Sequence, residues 1–199
     1  MGLPRGRGKL RVIAGKLRGR RLATLDGSSV RPTSDRARGA LFDILGAGVA
    51  GARFLDLCAG TGSVGIEAWS RGAAEVALIE SDRLAADLVR QNLDTVGAPW
   101  AARPGQSSVI VLACELREGL AQLARAGWAS EIAFADPPYG GGALDRALRL
   151  LAASGVLSPG AVVIAEHDSS EEPPEPRGLT LVRNTRYGRT GLTFFRAPD

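Results

Sequence analysis

The sequence predicts an α/β domain in which helices cover both faces of a mostly parallel sheet. Short apolar runs alternate with stretches of helical spacing through the middle of the chain, which is the pattern of strand–helix–strand units. A length of 199 residues, with 45% hydrophobic and 23% charged side chains, suits one folded domain of this kind. The last two strand-like runs have no helix between them, so they predict an antiparallel hairpin at the sheet edge.

The predicted elements follow one another in a regular order. Strands are predicted over residues 53–57, 75–79, 109–113, 132–135, 161–165, 179–183 and 192–196, which makes a sheet of seven. Helices are predicted from a cap at Thr33 or Ser34 to Gly46, and over about 63–71, 83–96, 116–126 and 144–153. Right-handed crossovers between parallel strands leave few possible topologies.

Positive charge is concentrated at the N-terminal end of the chain. Residues 1–40 hold eleven basic and two acidic side chains, although the net charge of the whole chain is only +4. Such a segment favours a polyanionic partner, because it releases condensed counterions from a phosphate backbone. Apolar residues interrupt the charges at Val12, Ile13, Leu17 and Leu22. This alternation favours paired strands over a loose solvated arm, so we interpret residues 1–30 as a basic hairpin extension and 31–199 as the main domain.

Composition argues against several classes of protein. No apolar run approaches the roughly 18 residues of a membrane span, and no apolar leader is present at the N-terminus. Cys58 and Cys114 form no Cys-x-x-Cys pair, and His167 is the single histidine. A disulfide framework and the usual zinc ligand sets are therefore not expected. We expect a cytoplasmic protein that uses no metal.

A glycine turn marks the strongest candidate binding site. The apolar run 53–57 leads into Gly60 and Gly62, and Gly65 completes a Gly-x-Gly-x-x-Gly pattern. Glycines let the backbone turn tightly and approach a ligand closely. Glu80 follows the next strand, where an acidic side chain can accept hydrogen bonds from both hydroxyls of an adenosine ribose. The combination favours a nucleoside cofactor over a turn that serves packing alone.

Asp56 discriminates between two kinds of cofactor. In a dinucleotide site the first turn faces an anionic pyrophosphate, which a carboxylate directly before the glycines would repel. S-adenosylmethionine has no phosphate, and its sulfonium and α-amino groups are cations that suit an acid at this place. The sequence therefore favours S-adenosylmethionine, with a nicotinamide-dependent oxidoreductase as the alternative.

A second motif, Asp136-Pro137-Pro138-Tyr139, directly follows the strand predicted at 132–135. The motif is expected beside the glycine turn, at the ligand crevice of an open sheet. An amine on an aromatic ring is a poor nucleophile, and two acceptors aimed at its N–H bonds would orient it. Asp136 and a carbonyl of the proline pair can supply them. Tyr139 offers a face on which a flat base stacks.

Several segments together carry a resemblance to a known family. They are Arg11-Val12-Ile13-Ala14-Gly15, Arg18-Gly19-Arg20, Arg31-Pro32-Thr33-Ser34-Asp35-Arg36, the turn at 56–65, Gly72-Ala73-Ala74, Glu80-Ser81-Asp82 and the motif at 136–139. In this combination the chain resembles the bacterial small-subunit ribosomal RNA guanine-N2 methyltransferases from about Lys9 to Arg196. Many amino-group methyltransferases share the glycine turn and the last motif, so the segment 31–36 is what distinguishes the substrate.

The resemblance implies a Rossmann-like methyltransferase fold, S-adenosylmethionine as donor, and an N2-methylguanine in ribosomal RNA as product. With the motifs above it predicts a catalytic set of Asp136, Pro137, Pro138 and Tyr139. The predicted cofactor-binding set is Asp56, Ala59, Gly60, Gly62, Glu80, Ser81 and Glu115. The predicted RNA-binding set is Arg11, Lys16, Arg18, Arg20, Arg21, Arg31, Thr33 and Arg36.

Two further functions remain compatible with the sequence: an amino methyltransferase that acts on DNA adenine, and a non-catalytic RNA-binding or ribosome assembly factor. The expected partner is ribosomal RNA or a precursor of the small ribosomal subunit, and the expected state is a monomer without membrane association. Tyr187 and Arg189, in the last predicted turn, are interpreted as turn residues that can also contact RNA. His167 is expected to be a surface or hydrogen-bonded histidine.

Overall fold

A computed structural model describes residues 5–6, 10–25, 35–138, 142–172 and 174–199 of the chain. Strands β1 (Arg5–Gly6) and β2 (Thr24–Leu25) form a small antiparallel pair. The main sheet contains β3 (Arg53–Asp56), β4 (Glu75–Glu80), β5 (Val109–Ala113), β6 (Ser130–Ala135), β7 (Leu157–Asp168), β8 (Thr180–Tyr187) and β9 (Thr190–Arg196). The helices are α1 (Asp35–Leu45), α2 (Ser63–Ser70), α3 (Arg83–Val96), α4 (Leu116–Arg125) and α5 (Ala143–Ala152), with 3₁₀ turns at Gly15–Leu17 and Gly46–Val49.

The main sheet has the strand order β5-β4-β3-β6-β7-β9-β8. Strands β3 to β7 pair in parallel, whereas β9 runs antiparallel to β7 and β8 antiparallel to β9. The chain moves outward from β3 to β5 and then returns to place β6 on the other side of β3. Such a reversal of strand order opens a crevice at the carboxyl ends of the strands, which is where open α/β sheets bind ligands.

Side chains along each strand point alternately to the two faces of the sheet and form two hydrophobic cores, one on each face. Phe54, Leu78 and Phe134 pack with α1, α2 and α3 in the first cluster. Leu55 and Ile79 point to the other face and pack with α4 and α5 in the second cluster. Successive side chains of a strand point to opposite faces, and both faces here are apolar because both are covered. The predicted three-layer α/β architecture is confirmed.

Two strands depart most from the bounds that the sequence pattern predicts. The strand predicted at 161–165 extends over Leu157–Asp168, and the one predicted at 179–183 extends over Thr180–Tyr187. β8 is mostly exposed, so no alternation of apolar residues marks it; pairing with β9 through Tyr187 and Thr190 defines its end. The predicted cap of α1 at Thr33 or Ser34 lies outside the described residues.

Residues 10–25, here called the basic segment, pack onto the domain through their apolar residues. Leu10, Val12, Leu17 and Leu22 are buried, and they belong to the same cluster as α1 to α3. Arg11 forms an isolated antiparallel bridge with Arg21, so this part of the chain folds back on itself. The apolar residues that interrupt the charges therefore face the core, and the charged residues between them face outward.

Within the described residues, no helix is long and apolar enough to cross a membrane. The same part of the chain contains no group of three or more His, Cys, Asp and Glu side chains arranged to hold a metal ion. Cys58 and Cys114 are both free thiols.

Candidate functional site

A cavity of about 550 Å³ opens at the carboxyl ends of β3, β4 and β6, where the strand order reverses. We call it the carboxyl-end cavity. Its lining residues are 56–61, Ser63, Val64, 79–82, Glu115, Leu116, Phe134, 136–138, Glu166, Asp168, Tyr187, Arg189 and Thr190. Its volume lies within the range of small-molecule sites. Seven of these described side chains are acidic and one, Arg189, is basic, so the cavity favours a cationic ligand.

The glycine turn forms one wall of the carboxyl-end cavity. Gly60 and Gly62 have φ angles of +55° and +76°, in the left-handed region that favours glycine. Glu80 holds the turn in place, because Oε2 accepts a hydrogen bond of 2.7 Å from the Gly60 N–H and Oε1 one of 2.9 Å from the Asp82 N–H. Each carboxylate oxygen has two lone pairs. Glu80 can therefore order the turn and still accept hydrogen bonds from a ligand.

Two of the three motif glycines make close packing contacts. Gly62 is not among the described lining residues, and a Cβ on it would lie 3.2 Å from Val89 of α3. A Cβ on Gly65 would lie 2.7 Å from Cδ2 of Leu78, a fully buried residue of β4. Gly65 therefore lets α2 approach the sheet closely, which in turn fixes the position of the turn.

We expect Gly65→Ala to lower the free energy of unfolding by about 1–3 kcal/mol, because the added methyl overpacks the contact with Leu78. Denaturant unfolding measures the change. Gly39→Ala is a matched control within helix α1, since a Cβ there meets no atom within 4 Å. The control is expected to leave stability unchanged or raise it by up to about 1 kcal/mol. Equal effects of the two substitutions would contradict the packing role of Gly65.

Asp56 ends β3 as a fully buried carboxylate, 1% exposed. Burial raises its pKa to about 7, and the nearby charges of Asp136 and Glu80 add to the rise, against backbone hydrogen bonds from Cys58 and Gly65. Its Oδ1 has no hydrogen-bond partner within the described part of the chain. A buried acceptor without a partner is costly unless a ligand supplies a donor. The structure thus leaves an acidic oxygen on the cavity wall that suits a cationic donor.

The pKa of Asp56 makes ligand binding depend on pH. We expect the affinity for S-adenosylhomocysteine, which has a cationic α-amino group, to fall as the pH drops below about 7, by at most about tenfold per pH unit. The same pKa also affects stability. The pKa of Asp56 in the folded state lies above the ordinary value of 3.8, so between that value and about 7 the folded state keeps a proton that the unfolded state loses. The contribution of Asp56 to stability therefore falls as the pH rises from about 4 to about 7. Calorimetry across about pH 5.5–8 measures the affinity for S-adenosylhomocysteine. Asp56→Asn should flatten the dependence of this affinity on pH, and an unchanged dependence would contradict the role of Asp56.

The motif predicted to hold the acceptor amine lies beside the glycine turn, because β6 and β3 are neighbouring parallel strands. Asp136, Pro137 and Pro138 follow the end of β6 and line the same cavity as Asp56 and Gly60. The strand register brings Asp136 near Asp56, because Asp56 pairs with Phe134, two residues before Asp136. Tyr139 lies outside the described residues. Ala59, Ser81 and Glu115, which the sequence assigns to the cofactor, also line the cavity.

A further wall of the cavity was missed by the sequence reasoning. Glu166 and Asp168, at the end of β7, line the cavity together with Tyr187, Arg189 and Thr190 of the β8–β9 hairpin. Arg189 forms an ion pair with Asp168, with 3.7 Å between its Nη2 and the Asp168 Oδ2. The register of the three strands brings these residues together, because Asp168 of β7 pairs with Thr190 of β9, and Thr190 pairs with Tyr187 of β8. His167, between the two acids, is buried and hydrogen-bonded to Thr193 and the Asp168 carbonyl.

Buried polar side chains of α2 and α3 hold the basic segment on the domain. Glu67 accepts hydrogen bonds from the backbone N–H groups of Ile13 and Ala14, at 2.7 and 3.0 Å. Ser70 accepts from the Leu17 N–H, and Asn92 Oδ1 accepts from the N–H of Ala23. Asn92 also donates to the carbonyl of Thr61 in the glycine turn, so one buried amide contacts both the basic segment and the cavity wall. Nothing in the local sequence pattern marks these contacts.

The basic segment presents its charges to solvent. Arg11, Lys16, Arg18, Arg20 and Arg21 are exposed, as is Arg36 on α1. Two of them also contact the domain: Arg11 is 3.6 Å from Asp35, and the Lys16 ammonium lies 3.2 Å from the centre of the Trp69 ring. Arg31 and Thr33, the remaining members of the predicted RNA-binding set, lie outside the described residues.

The chain is similar in sequence and in fold to known proteins. The sequence model of the family described as "Conserved hypothetical protein 95" matches residues 10–196. The chain is 33% identical over 192 residues to the Escherichia coli (strain K12) protein named "Ribosomal RNA small subunit methyltransferase D", covering 96% of this chain and 91% of that protein. It superimposes with a TM-score of 0.77 on the solved structure of a hypothetical protein from Thermus thermophilus, at 31% identity, covering 92% of this chain and 97% of that one.

A more distant structure shares the fold alone. The RNA methyltransferase from Salinibacter ruber, solved in complex with S-adenosyl-L-homocysteine, superimposes with a TM-score of 0.60 at 19% identity, covering 85% of this chain and 95% of that one.

Proposed function

This chain belongs to the Conserved hypothetical protein 95 family together with the ribosomal RNA small subunit methyltransferases D, and on that premise we propose that it methylates the N2 amine of a guanine in small-subunit ribosomal RNA. At the level of reaction class it is an S-adenosylmethionine-dependent ribosomal RNA methyltransferase, and its Escherichia coli relative is named a ribosomal RNA small subunit methyltransferase.

S-adenosylmethionine fits the residues of the carboxyl-end cavity. The unpartnered Oδ1 of Asp56 suits a cationic amino group, and Glu80 suits the two hydroxyls of a ribose. Ser81 and Glu115 line the part of the cavity beyond Glu80, toward which an adenine would extend. When bound, the donor supplies an electrophilic methyl group on a cationic sulfur. An acidic cavity favours that charge and opposes the pyrophosphate of a dinucleotide.

The acceptor amine is assigned to Asp136-Pro137-Pro138. The lone pair of a guanine N2 is delocalised into the ring, so the amine must be oriented before it can attack. The Asp136 carboxylate and a carbonyl of the proline pair accept its N–H bonds, which directs the lone pair away from them and toward the glycine turn. The nitrogen loses one proton as it gains the methyl, and Asp136 or water takes that proton. Positioning and electrostatics supply the rate enhancement without a covalent intermediate.

One observation carries the proposal: Asp136-Pro137-Pro138 and the Asp56-to-Gly60 turn line one acidic cavity at the reversal point of the sheet. Neither motif is specific alone. Their meeting in one cavity supports the proposal, because a group that can orient an amine then lies beside a group that favours a cationic methyl donor, as amino methyl transfer requires.

The proposal is tested by identifying the methylated nucleoside. The protein is incubated with S-adenosylmethionine carrying a tritiated methyl group and with naked ribosomal RNA, immature small subunits or naked DNA. Nuclease digests are then analysed by mass spectrometry. We expect N2-methylguanosine from ribosomal RNA or small subunits. N6-methyladenine from DNA, a different methylated nucleoside from RNA, or no incorporation into any acceptor would overturn the proposal.

We propose that residues 1–30 bind RNA together with Arg31, Thr33 and Arg36, and that residues 31–199 form the methyltransferase domain. The basic segment and the carboxyl-end cavity are linked through Asn92, which binds both Ala23 and Thr61. RNA held on the exposed arginines would therefore lie on a surface that is fixed relative to the glycine turn.

Replacing Arg18, Arg20 and Arg21 with alanine is expected to weaken RNA binding. It should also lower the magnitude of the slope of the log association constant for RNA against log salt concentration, by about one per lost phosphate contact. Affinity for S-adenosylhomocysteine should not change. Filter binding at several salt concentrations measures the slope. A triple substitution of Arg117, Arg125 and Arg149, on the helices of the opposite face, is the matched control. Equal slopes for both triple variants would show that the basic segment does not contact the RNA.

A further inference from the structure

Glu166 lies level with Asp136 at the end of the neighbouring parallel strand. The last pair of the β6–β7 ladder joins Ala135 to Ala165, and each acid is the residue that follows along the chain. Neighbouring strands are about 4.8 Å apart. Both acids line the carboxyl-end cavity, so two carboxylates stand side by side on its wall.

Glu166 is 3% exposed, and Leu192 of β9 pairs with it on the side away from β6. Burying a carboxylate is costly unless it is paired or hydrogen-bonded. A carboxylate with only a structural role would avoid this desolvation cost at a solvent-exposed position. A carboxylate has about four lone-pair positions. Glu166 can therefore keep a contact within the protein and still accept a hydrogen bond from a molecule in the cavity.

The edge of guanine that carries N2 presents two adjacent donors, the N2 amine and the N1–H. Adenine has an acceptor at N1 beside its amine. A pair of neighbouring carboxylates matches the guanine edge and repels the N1 lone pair of adenine. A site built to accept a hydrogen bond rejects an analogue that lacks the donor far more strongly than a site shaped only by packing.

We propose that Glu166 is the specificity-determining residue that selects guanine, by accepting a hydrogen bond from N1–H while Asp136 orients N2. This inference rests on the proposed function. Glu166 is a binding residue for the base in this scheme; the attacking amine itself remains with Asp136 and the proline pair.

The test uses RNA in which the mapped target guanine is replaced by 2-aminopurine, which keeps the 2-amine but has an unprotonated N1. The parent enzyme should prefer guanine by about 100-fold or more in kcat/KM. In Glu166→Gln the side-chain amide can donate to the bare N1, so the preference should fall to about tenfold or less. Glu118→Gln makes the same chemical change at an exposed position of α4 outside the cavity, and it should keep the preference of the parent.

A parent enzyme that methylates guanine and 2-aminopurine equally well would overturn the proposal, and this measurement needs no variant. A Glu166→Gln enzyme that keeps the full preference of the parent would also overturn it, as would an equal loss of preference in Glu118→Gln. These results differ from a failure of the proposed function, in which the parent makes no N2-methylguanosine on unmodified RNA.

Discussion

Asp136→Ala is expected to lower methyl transfer by about 10²–10³-fold, because it removes one of the two acceptors that orient the amine. Asp136→Asn keeps an acceptor oxygen at the same place and should retain more activity than the alanine variant. Affinity for S-adenosylhomocysteine should not fall in either variant. Since the charge of Asp136 raises the pKa of Asp56, its loss should move the pH midpoint of S-adenosylhomocysteine binding downward.

Single-turnover incorporation of tritiated methyl groups measures the rate, and calorimetry measures the affinity. Asp87→Asn, an exposed carboxylate on α3 paired with Arg90, is the control and should behave as the parent. If Asp136→Ala kept more than about a tenth of the parent rate, Asp136 would not be the acceptor that the proposed mechanism requires.

Glu67→Ala is expected to lower the free energy of unfolding by about 3–5 kcal/mol, the cost of breaking a buried ion pair by removing one partner. Glu67 is fully buried and accepts from two backbone N–H groups of the basic segment. It also binds Arg71 at 2.7 Å and lies 4.0 Å from the fully buried Arg38. The substitution removes the acceptor of those donors and loosens the basic segment from α2.

Denaturant unfolding measures this loss, and RNA binding of the folded variant should weaken because its arginines are no longer held in place. Glu118→Gln, an exposed carboxylate on α4, is expected to change stability by no more than about 0.5 kcal/mol. A loss below about 1 kcal/mol in Glu67→Ala would show that other contacts hold the basic segment.

Much of the fold was predictable because local chemistry specifies it. The helix predicted at 83–96 and the strand predicted at 109–113 have the predicted bounds, because helical spacing and a continuous apolar run are properties of the sequence. In the structure Asp82 caps the helix by accepting a hydrogen bond from the Ala85 N–H. The strand predicted at 161–165 was too short because the part of β7 before it contains Pro159 and Gly160, which are atypical of strand interiors.

The candidate site was predictable where a motif follows a strand directly. Asp56, Gly60, Glu80 and Asp136 stand at or just beyond strand ends, and the structure brings all four to one cavity. Glu166 and Tyr187 have no such motif. Their place on the cavity wall depends on the pairing of β7 with β9 and of β9 with β8, which joins residues far apart along the chain.

The sequence by itself determined the alternation of strands and helices, the two motifs and the concentration of arginines, because periodicity and composition are properties of neighbouring residues. Only the tertiary structure decided that Glu67 and Asn92 hold the basic segment, that Gly62 and Gly65 serve packing, and that Glu166 stands beside Asp136. The physical reason is that each of these is a contact between elements separated along the chain. Register and burial, which are set when the sheet assembles, create such contacts.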